Sequence, residues 1–157
     1  MNANDQQPER KTIRLPADCY RGGDAFSVTI CVAGRVAALV GPVRDTVHRM
    51  LVAQSADNKG PVYGWVVMPD HLHVLIAGSE DLVRWVRLFK SGVTSSLKRR
   101  GGNPPNWPRS FYEHGVRRNE RLEVVARYIL ENPVRAGLCD RFDKWPWSYV
   151  AGMKAAG

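Results

Sequence analysis

The segment 62–77 constrains the fold most, because two aliphatic runs flank the turn-forming pair Pro69-Asp70. Strand-forming runs of this length on either side of a short turn predict an antiparallel hairpin. The second run begins with His71 and His73, and alternate residues of a strand share one face. The hairpin therefore points two imidazoles in the same direction from a rigid strand, as a pair of metal ligands requires. Taken alone, such a pair would favour zinc, copper or nickel.

Periodicity predicts the rest of the fold. The other predicted elements are a strand over 25–32, an amphipathic helix over 43–54, a long helix over 81–99, a short strand over 110–117 and a last helix that opens at Asn119 or Glu120 and that Pro133 stops. This order predicts an α+β fold, a ferredoxin-like βαββαβ antiparallel sheet with helices on one face plus a C-terminal helix. Residues 1–24 are polar and predict an N-terminal arm, and residues 25–157 a single domain.

Basic residues are concentrated in one quarter of the chain. Residues 84–121 contain ten Lys and Arg residues but only Glu113 and Glu120 as acids, so this segment accounts for the whole formal net charge of +8. A local excess of positive charge predicts a polyanionic partner, most often a nucleic acid. The alternative is a basic surface that is only solvated.

The composition argues against a membrane or secreted protein. No apolar run reaches the roughly 20 residues of a membrane span, and Met1 to Lys11 lack the apolar core of a signal peptide. Cys19, Cys31 and Cys139 have no metal-binding spacing and cannot all pair within one chain. We therefore expect reduced thiols and a cytoplasmic protein.

The last predicted helix places a tyrosine beside the core. Its core-facing side is formed by Leu122, Val125, Ala126 and Ile129. Tyr128 and Asn132 are four residues apart and share a neighbouring face. This border position suits a tyrosine whose ring is supported while its hydroxyl reaches into a cleft. The alternative is an ordinary half-buried tyrosine with a hydrogen-bonded hydroxyl.

Two segments resemble the signature blocks of the single-tyrosine HUH transposases. The first is Met68-Pro69-Asp70-His71-Leu72-His73, and the second runs over 128–138 with the order Tyr–x–x–x–Asn–Pro–Val. The tail Trp145-Pro146-Trp147-Ser148-Tyr149 resembles the C-terminal motif of the REP-associated tyrosine transposases, the most similar branch. The resemblance covers residues 26–149, although Leu130 stands where that branch often carries a histidine.

The resemblance implies an HUH-type tyrosine transposase, a DNA strand transferase and endonuclease that acts on single-stranded hairpin DNA. His71 and His73 would bind Mg²⁺ or Mn²⁺, with Asn132 from the last helix as a third ligand. Tyr128 would attack the scissile phosphate, forming a covalent 5′-phosphotyrosine and a free 3′-hydroxyl for strand transfer. The general base for Tyr128 stays open.

The basic segment would hold the DNA. The residues that we assign to DNA binding are Arg87, Lys90, Lys98, Arg99, Arg100, Arg117, Arg118 and Arg135. The DNA sequence and the choice between monomer and homodimer stay open. Two alternatives remain: a non-catalytic nucleic-acid-binding ferredoxin-like module, and a metal-dependent nuclease that uses water and in which Tyr128 would be dispensable.

Overall fold

A computed structural model describes residues 25–77, 81–116 and 122–152, with the side chains of residues 122 and 123 left out. Within these ranges the chain forms one antiparallel sheet whose strands are β1 (Ala25–Cys31), β2 (Val62–Val67), β3 (His71–Ala77), β4 (Tyr112–Val116) and β5 (Ser148–Val150). The strand order is β4-β1-β3-β2-β5. The first four strands confirm the predicted ferredoxin-like arrangement. The predicted arm, residues 1–24, lies outside the described residues.

Four α-helices connect or follow the strands in the described ranges: α1 (Gly41–Ala53), α2 (Leu82–Arg99), α3 (Leu122–Leu130) and α4 (Asn132–Arg135). α1 begins with Pro42 in its first turn, where a missing amide hydrogen costs nothing. α2 begins at a capping residue, since the Asp81 carboxylate accepts a hydrogen bond from the Arg84 amide at 3.1 Å. In the part of the chain described, no helix combines the length and apolarity that a membrane span needs.

The alternation of β3 divides the sheet into two faces. One face packs against α1 and α2 and contains alternate residues of β3, namely Leu72, Val74 and Ile76. The other face carries Leu75, which belongs to a second core with Ile129 of α3. His71 and His73 alternate with the first set, so they lie on the face that α3 covers in part.

The C-terminal region differs from the sequence prediction in two ways. Pro133 does not simply stop the last helix: α3 ends at Leu130, and Pro133 is buried in the first turn of α4, where proline is tolerated. The strand β5 was not predicted. It pairs with β2, and Trp145 just before it donates from Nε1 to the Val67 carbonyl at 3.0 Å, which fixes the tail to the sheet edge.

Candidate active site

His71 and His73 lie side by side near one end of the sheet. Their ring centroids are 4.9 Å apart and the rings are nearly perpendicular, at 86°. This separation lies within the span over which two imidazoles can bind one cation through bonds of about 2.1 Å. His71 is buried and His73 is half-buried. The structure thus brings the two predicted ligands together.

The partner of His71 determines which ring nitrogen can bind a cation. His71 Nδ1 is 2.6 Å from Asp70 Oδ1, and Arg35 Nε donates to Asp70 Oδ2 at 3.0 Å. Burial alone would raise the pKa of Asp70, but its hydrogen bond with His71 and the charge of Arg35 hold that pKa below its usual value. Asp70 is therefore an ionised acceptor, so the proton sits on Nδ1 and Nε2 keeps its lone pair.

His73 has a different partner. Its Nδ1 is 2.8 Å from Oγ1 of Thr29, the residue opposite it on β1. Burial, followed by the nearby charges of His71, Arg135 and Arg35, lowers the pKa of His73 to about 3. Burial also lowers the pKa of His71, against the opposing effect of Asp70. Both imidazoles are therefore neutral near pH 7, the state in which they act as ligands.

The nucleophile candidate, Tyr128, lies on α3 and contacts Arg135. Tyr128 is 62% exposed, more than its predicted position at the border of the core implies. The Arg135 guanidinium carbon lies 3.9 Å from the centroid of the Tyr128 ring, and Nη2 donates to the Tyr128 carbonyl. Arg135 is also close enough to His73 to lower its pKa. Asn132, half-buried at the start of α4, lies in the chain between Tyr128 and Arg135.

The donors at this site suit a divalent cation that substrate also helps to bind. No group of three or more His, Cys, Asp or Glu side chains that could hold a metal ion occurs within the described ranges. His71 and His73 are neutral and each has its Nδ1 engaged, as imidazole ligands in proteins usually do. Asn132 would add an amide oxygen. Such a set fits a cation whose remaining ligands are water and phosphate oxygens.

The predicted DNA-binding residues other than Arg135 fall into three groups. Lys90 is buried, and its ammonium donates to the carbonyls of Pro108 at 2.6 Å and of Ser110 at 3.4 Å. Arg117 and Arg118 lie outside the described residues. The exposed members are Arg87, Lys98 and Arg99 of α2 and Arg100, the residue that follows this helix. Lys90 therefore tethers the loop before β4, while the exposed residues offer charge to solvent.

The topology places the end of α2 at the end of the sheet that holds the histidines, on the opposite face. β1 is antiparallel to β3 and to β4, so β3 and β4 run in the same direction. α2 joins them and returns the chain to the end of the sheet where β3 begins with His71. Arg99 consequently lies toward that end, on the opposite layer, whereas Arg87 is about 18 Å away along the helix axis at about 1.5 Å per residue.

A sequence profile described as "Transposase IS200 like" matches residues 25–132, which include the histidine pair, Tyr128 and Asn132. The chain belongs to the IS200-like transposases. This assignment confirms the transposase resemblance and makes the protein a DNA-processing enzyme of the transposase type.

Two relatives show how far the similarity of this transposase extends. An uncharacterized protein of Haemophilus influenzae is 25% identical over 160 residues, covering 80% of this chain and 88% of the relative. The solved structure of a REP-associated tyrosine transposase bound to a REP hairpin superposes with a TM-score of 0.63. It is 24% identical, and the match covers 80% of this chain and 76% of that one. The two chains share a fold.

Sequence reasoning missed three residues of the site: Thr29, Arg35 and Asp70. Asp70 directly precedes His71, and this adjacency was the available signal for a carboxylate next to a ligand. Thr29 is 44 residues from His73, and Arg35 is 36 residues from His71. The register of β1 with β3 brings Thr29 to His73, and the loop after β1, which is hydrogen-bonded to the β2–β3 turn, brings Arg35 to His71. Of the remaining histidines, His48 accepts from Trp65 Nε1 at 3.1 Å, a structural contact.

Proposed function

We propose that this transposase nicks and rejoins single-stranded hairpin DNA through a covalent 5′-phosphotyrosine, with Mg²⁺ or Mn²⁺ as cofactor. One observation carries the proposal: two neutral, hydrogen-bonded imidazoles share a sheet face with a helix that presents an exposed tyrosine beside an arginine. The branch we propose is the REP-associated one, because the transposase of that branch with a similar fold was solved bound to a REP hairpin. Among the described residues, Cys31 and Cys139 are not joined by a disulfide, which suits a reducing cytoplasm.

Each residue has a role in the transfer. The Tyr128 hydroxyl oxygen bonds to phosphorus while the bond between phosphorus and the 3′ oxygen of the preceding nucleotide breaks. The hydroxyl proton ends on that 3′ oxygen, and a 3′-hydroxyl from another strand reverses the step without ATP. His71, His73 and Asn132 would hold the cation, which when bound supplies charge that stabilises the phosphate oxygens. Arg135 would contact the same phosphate through its guanidinium.

The exposed charges at the end of α2 provide a path for the DNA. Lys98, Arg99 and Arg100 are exposed at the end of the sheet where the histidines lie. A DNA strand bound by these side chains would reach His71 and His73 by passing around this end of the β-sheet. We propose that these residues bind the backbone, with Arg87 farther along the hairpin.

A covalent adduct tests the mechanism. We expect wild-type protein incubated with hairpin single-stranded DNA and Mn²⁺ to form a protein–DNA adduct, detected by a shift on a denaturing gel. Tyr128→Phe should form none, while Tyr63→Phe, a matched change of another exposed tyrosine, should behave as wild type. Cleavage without an adduct would instead support hydrolysis by water, and binding without cleavage a non-catalytic module.

We also propose that the active site is complete within one chain. The Arg135 guanidinium carbon lies 3.9 Å from the centroid of the Tyr128 ring, and the charge of Arg135 lowers the pKa of His73 in the same chain, which supports a site built from one chain. A mixture of Tyr128→Phe and His71→Ala proteins should therefore stay inactive. Restored adduct formation in that mixture would show that the tyrosine acts on the site of a second subunit.

A further inference from the structure

The loop after β1 is fastened to the β2–β3 turn beside the histidines. The Val32 amide donates to the Asp70 carbonyl at 2.9 Å, and the Leu39 amide donates to the Pro69 carbonyl at 2.8 Å. Between these two points Arg35 adopts a left-handed backbone with φ of 54°, which is uncommon for a residue with a side chain. This unusual conformation is held where the Arg35 side chain can reach Asp70.

Arg35 engages the site through several nitrogens. Nε donates to Asp70 Oδ2 at 3.0 Å, and Nη1 donates to Cys31 Sγ at 3.1 Å. Nη2 is 3.4 Å from His71 Nδ1. Because that ring nitrogen carries the proton shared with Asp70, Nη2 cannot donate to it. Each Asp70 oxygen thus has one donor: His71 on Oδ1 and Arg35 on Oδ2.

We propose that Arg35 and Asp70 are positioning residues that fix the tautomer of His71, so that its Nε2 is the nitrogen that binds the cation. The proposal deepens the proposed function, because it rests on His71 being a ligand. Arg35 only donates hydrogen bonds, and it keeps the Asp70 carboxylate oriented with its other oxygen toward His71. His73 has no equivalent control, since the Thr29 hydroxyl both donates and accepts.

An asparagine at position 70 would reverse the tautomer. Its amide has one accepting and one donating end. Arg35 demands the accepting end, so the amide nitrogen must face His71 Nδ1. The ring nitrogen then has to accept, its proton moves to Nε2, and the lone pair for the cation is lost. Removing Arg35 as well would let the amide turn round and restore the original tautomer.

The proposal predicts that removing Arg35 restores part of the Mn²⁺ binding that Asp70→Asn loses. A pair with only a structural role would show no such restoration. We expect Asp70→Asn to weaken Mn²⁺ binding about 10- to 100-fold, the range for loss of a group that supports a metal ligand. Arg35→Met should weaken it less. The double variant should bind Mn²⁺ more tightly than Asp70→Asn alone, whereas two independent structural losses would make it bind more weakly.

Two measurements test the proposal. Mn²⁺ alone is titrated into the full-length protein and followed by electron paramagnetic resonance. Nitrogen-15 NMR of the metal-free protein reports whether the His71 proton is on Nδ1, as expected for wild type and the double variant, or on Nε2, as expected for Asp70→Asn. The matched control is Asp143→Asn, which removes another Arg–Asp pair, held by Arg141 at 3.1 and 2.7 Å. It should leave both measurements unchanged.

The outcomes separate this proposal from the proposed function. An unchanged His71 tautomer in Asp70→Asn, or a double variant no better than the single one, overturns the positioning role even if wild type forms the DNA adduct. Failure of wild type to form an adduct, with the tautomers as expected, overturns the phosphotyrosine mechanism and leaves the positioning role standing. Should Asp70→Asn not fold, the NMR spectrum of Arg35→Met still tests the role of Asp70. Its carboxylate only accepts, so the His71 proton should stay on Nδ1 without Arg35, and a proton on Nε2 would contradict the proposal.

Discussion

Leu72 and His71 are neighbours on β3, but they face opposite environments. Leu72 is fully buried in the core with α1 and α2. His71 points to the other face, where Asp70 and Arg35 surround it with hydrogen bonds and charge. One face of the sheet is dry and closely packed, and the other carries polar groups at the margin of α3. The alternation of a strand thus lets one segment supply both stability and chemistry.

The largest expected effect is on the rate of DNA adduct formation, from a substitution on the sheet face that carries His71 and His73. We expect His73→Ala to reduce the rate of adduct formation by about 1,000-fold, consistent with the several kcal/mol that a bound cation contributes to stabilising the transition state. The free energy of unfolding should change much less, because His73 is half-buried. Single-turnover kinetics and urea unfolding of the same preparation measure the two effects. Unaltered kinetics would remove His73 from the active site.

At the neighbouring residue, Leu72, we expect the opposite result: a loss of stability with little change in the rate of adduct formation. Leu72→Ala creates a cavity in the core with α1 and α2, and we expect it to lower the free energy of unfolding by about 2–5 kcal/mol. The adduct rate per folded molecule should stay close to that of wild type. A large kinetic defect in the folded fraction would mean that the two faces are coupled through β3.

Acid should weaken the fold through His73. Its pKa is about 3 in the folded protein and about 6.5 when unfolded. The unfolded chain therefore binds the extra proton first, so this contribution to stability is complete above pH 6.5 and is lost progressively as the pH falls toward 3. Urea unfolding at several pH values should show a shallower dependence in His73→Asn than in wild type.

His48 offers a comparison for this effect of acid. It belongs to α1, which packs against the sheet face opposite His73, and it accepts a hydrogen bond from Trp65. Burial lowers the pKa of His48 as well, so its contribution has the same sign. His48→Gln should also flatten the dependence, although by less than the change at His73. Equal slopes in wild type and in both variants would contradict the burial of these imidazoles.

The sequence predicts local features better than distant contacts. The order of β1 to β4 with α1 and α2 follows from periodicity, since the period is set by residues close in the chain. The strand β5 has only three residues, and its pairing depends on the free edge of β2. Arg35 could not be assigned to the site, because its role depends on a left-handed backbone and a fold-dependent neighbour.

The smallest expected effects concern two basic residues of α2, Arg99 and Lys90, which should differ in their contribution to DNA binding. Arg99 is exposed at the histidine end, whereas the Lys90 ammonium is bound to the Pro108 and Ser110 carbonyls. We expect Arg99→Ala to reduce the salt dependence of DNA binding by about one released counterion. Lys90→Met should leave that slope unchanged and lower the free energy of unfolding by about 1–3 kcal/mol, since two carbonyls lose a charged donor. Fluorescence anisotropy with hairpin DNA over a range of salt measures the slope. A reduced slope for Lys90→Met would mean that Lys90 leaves the loop to bind phosphate.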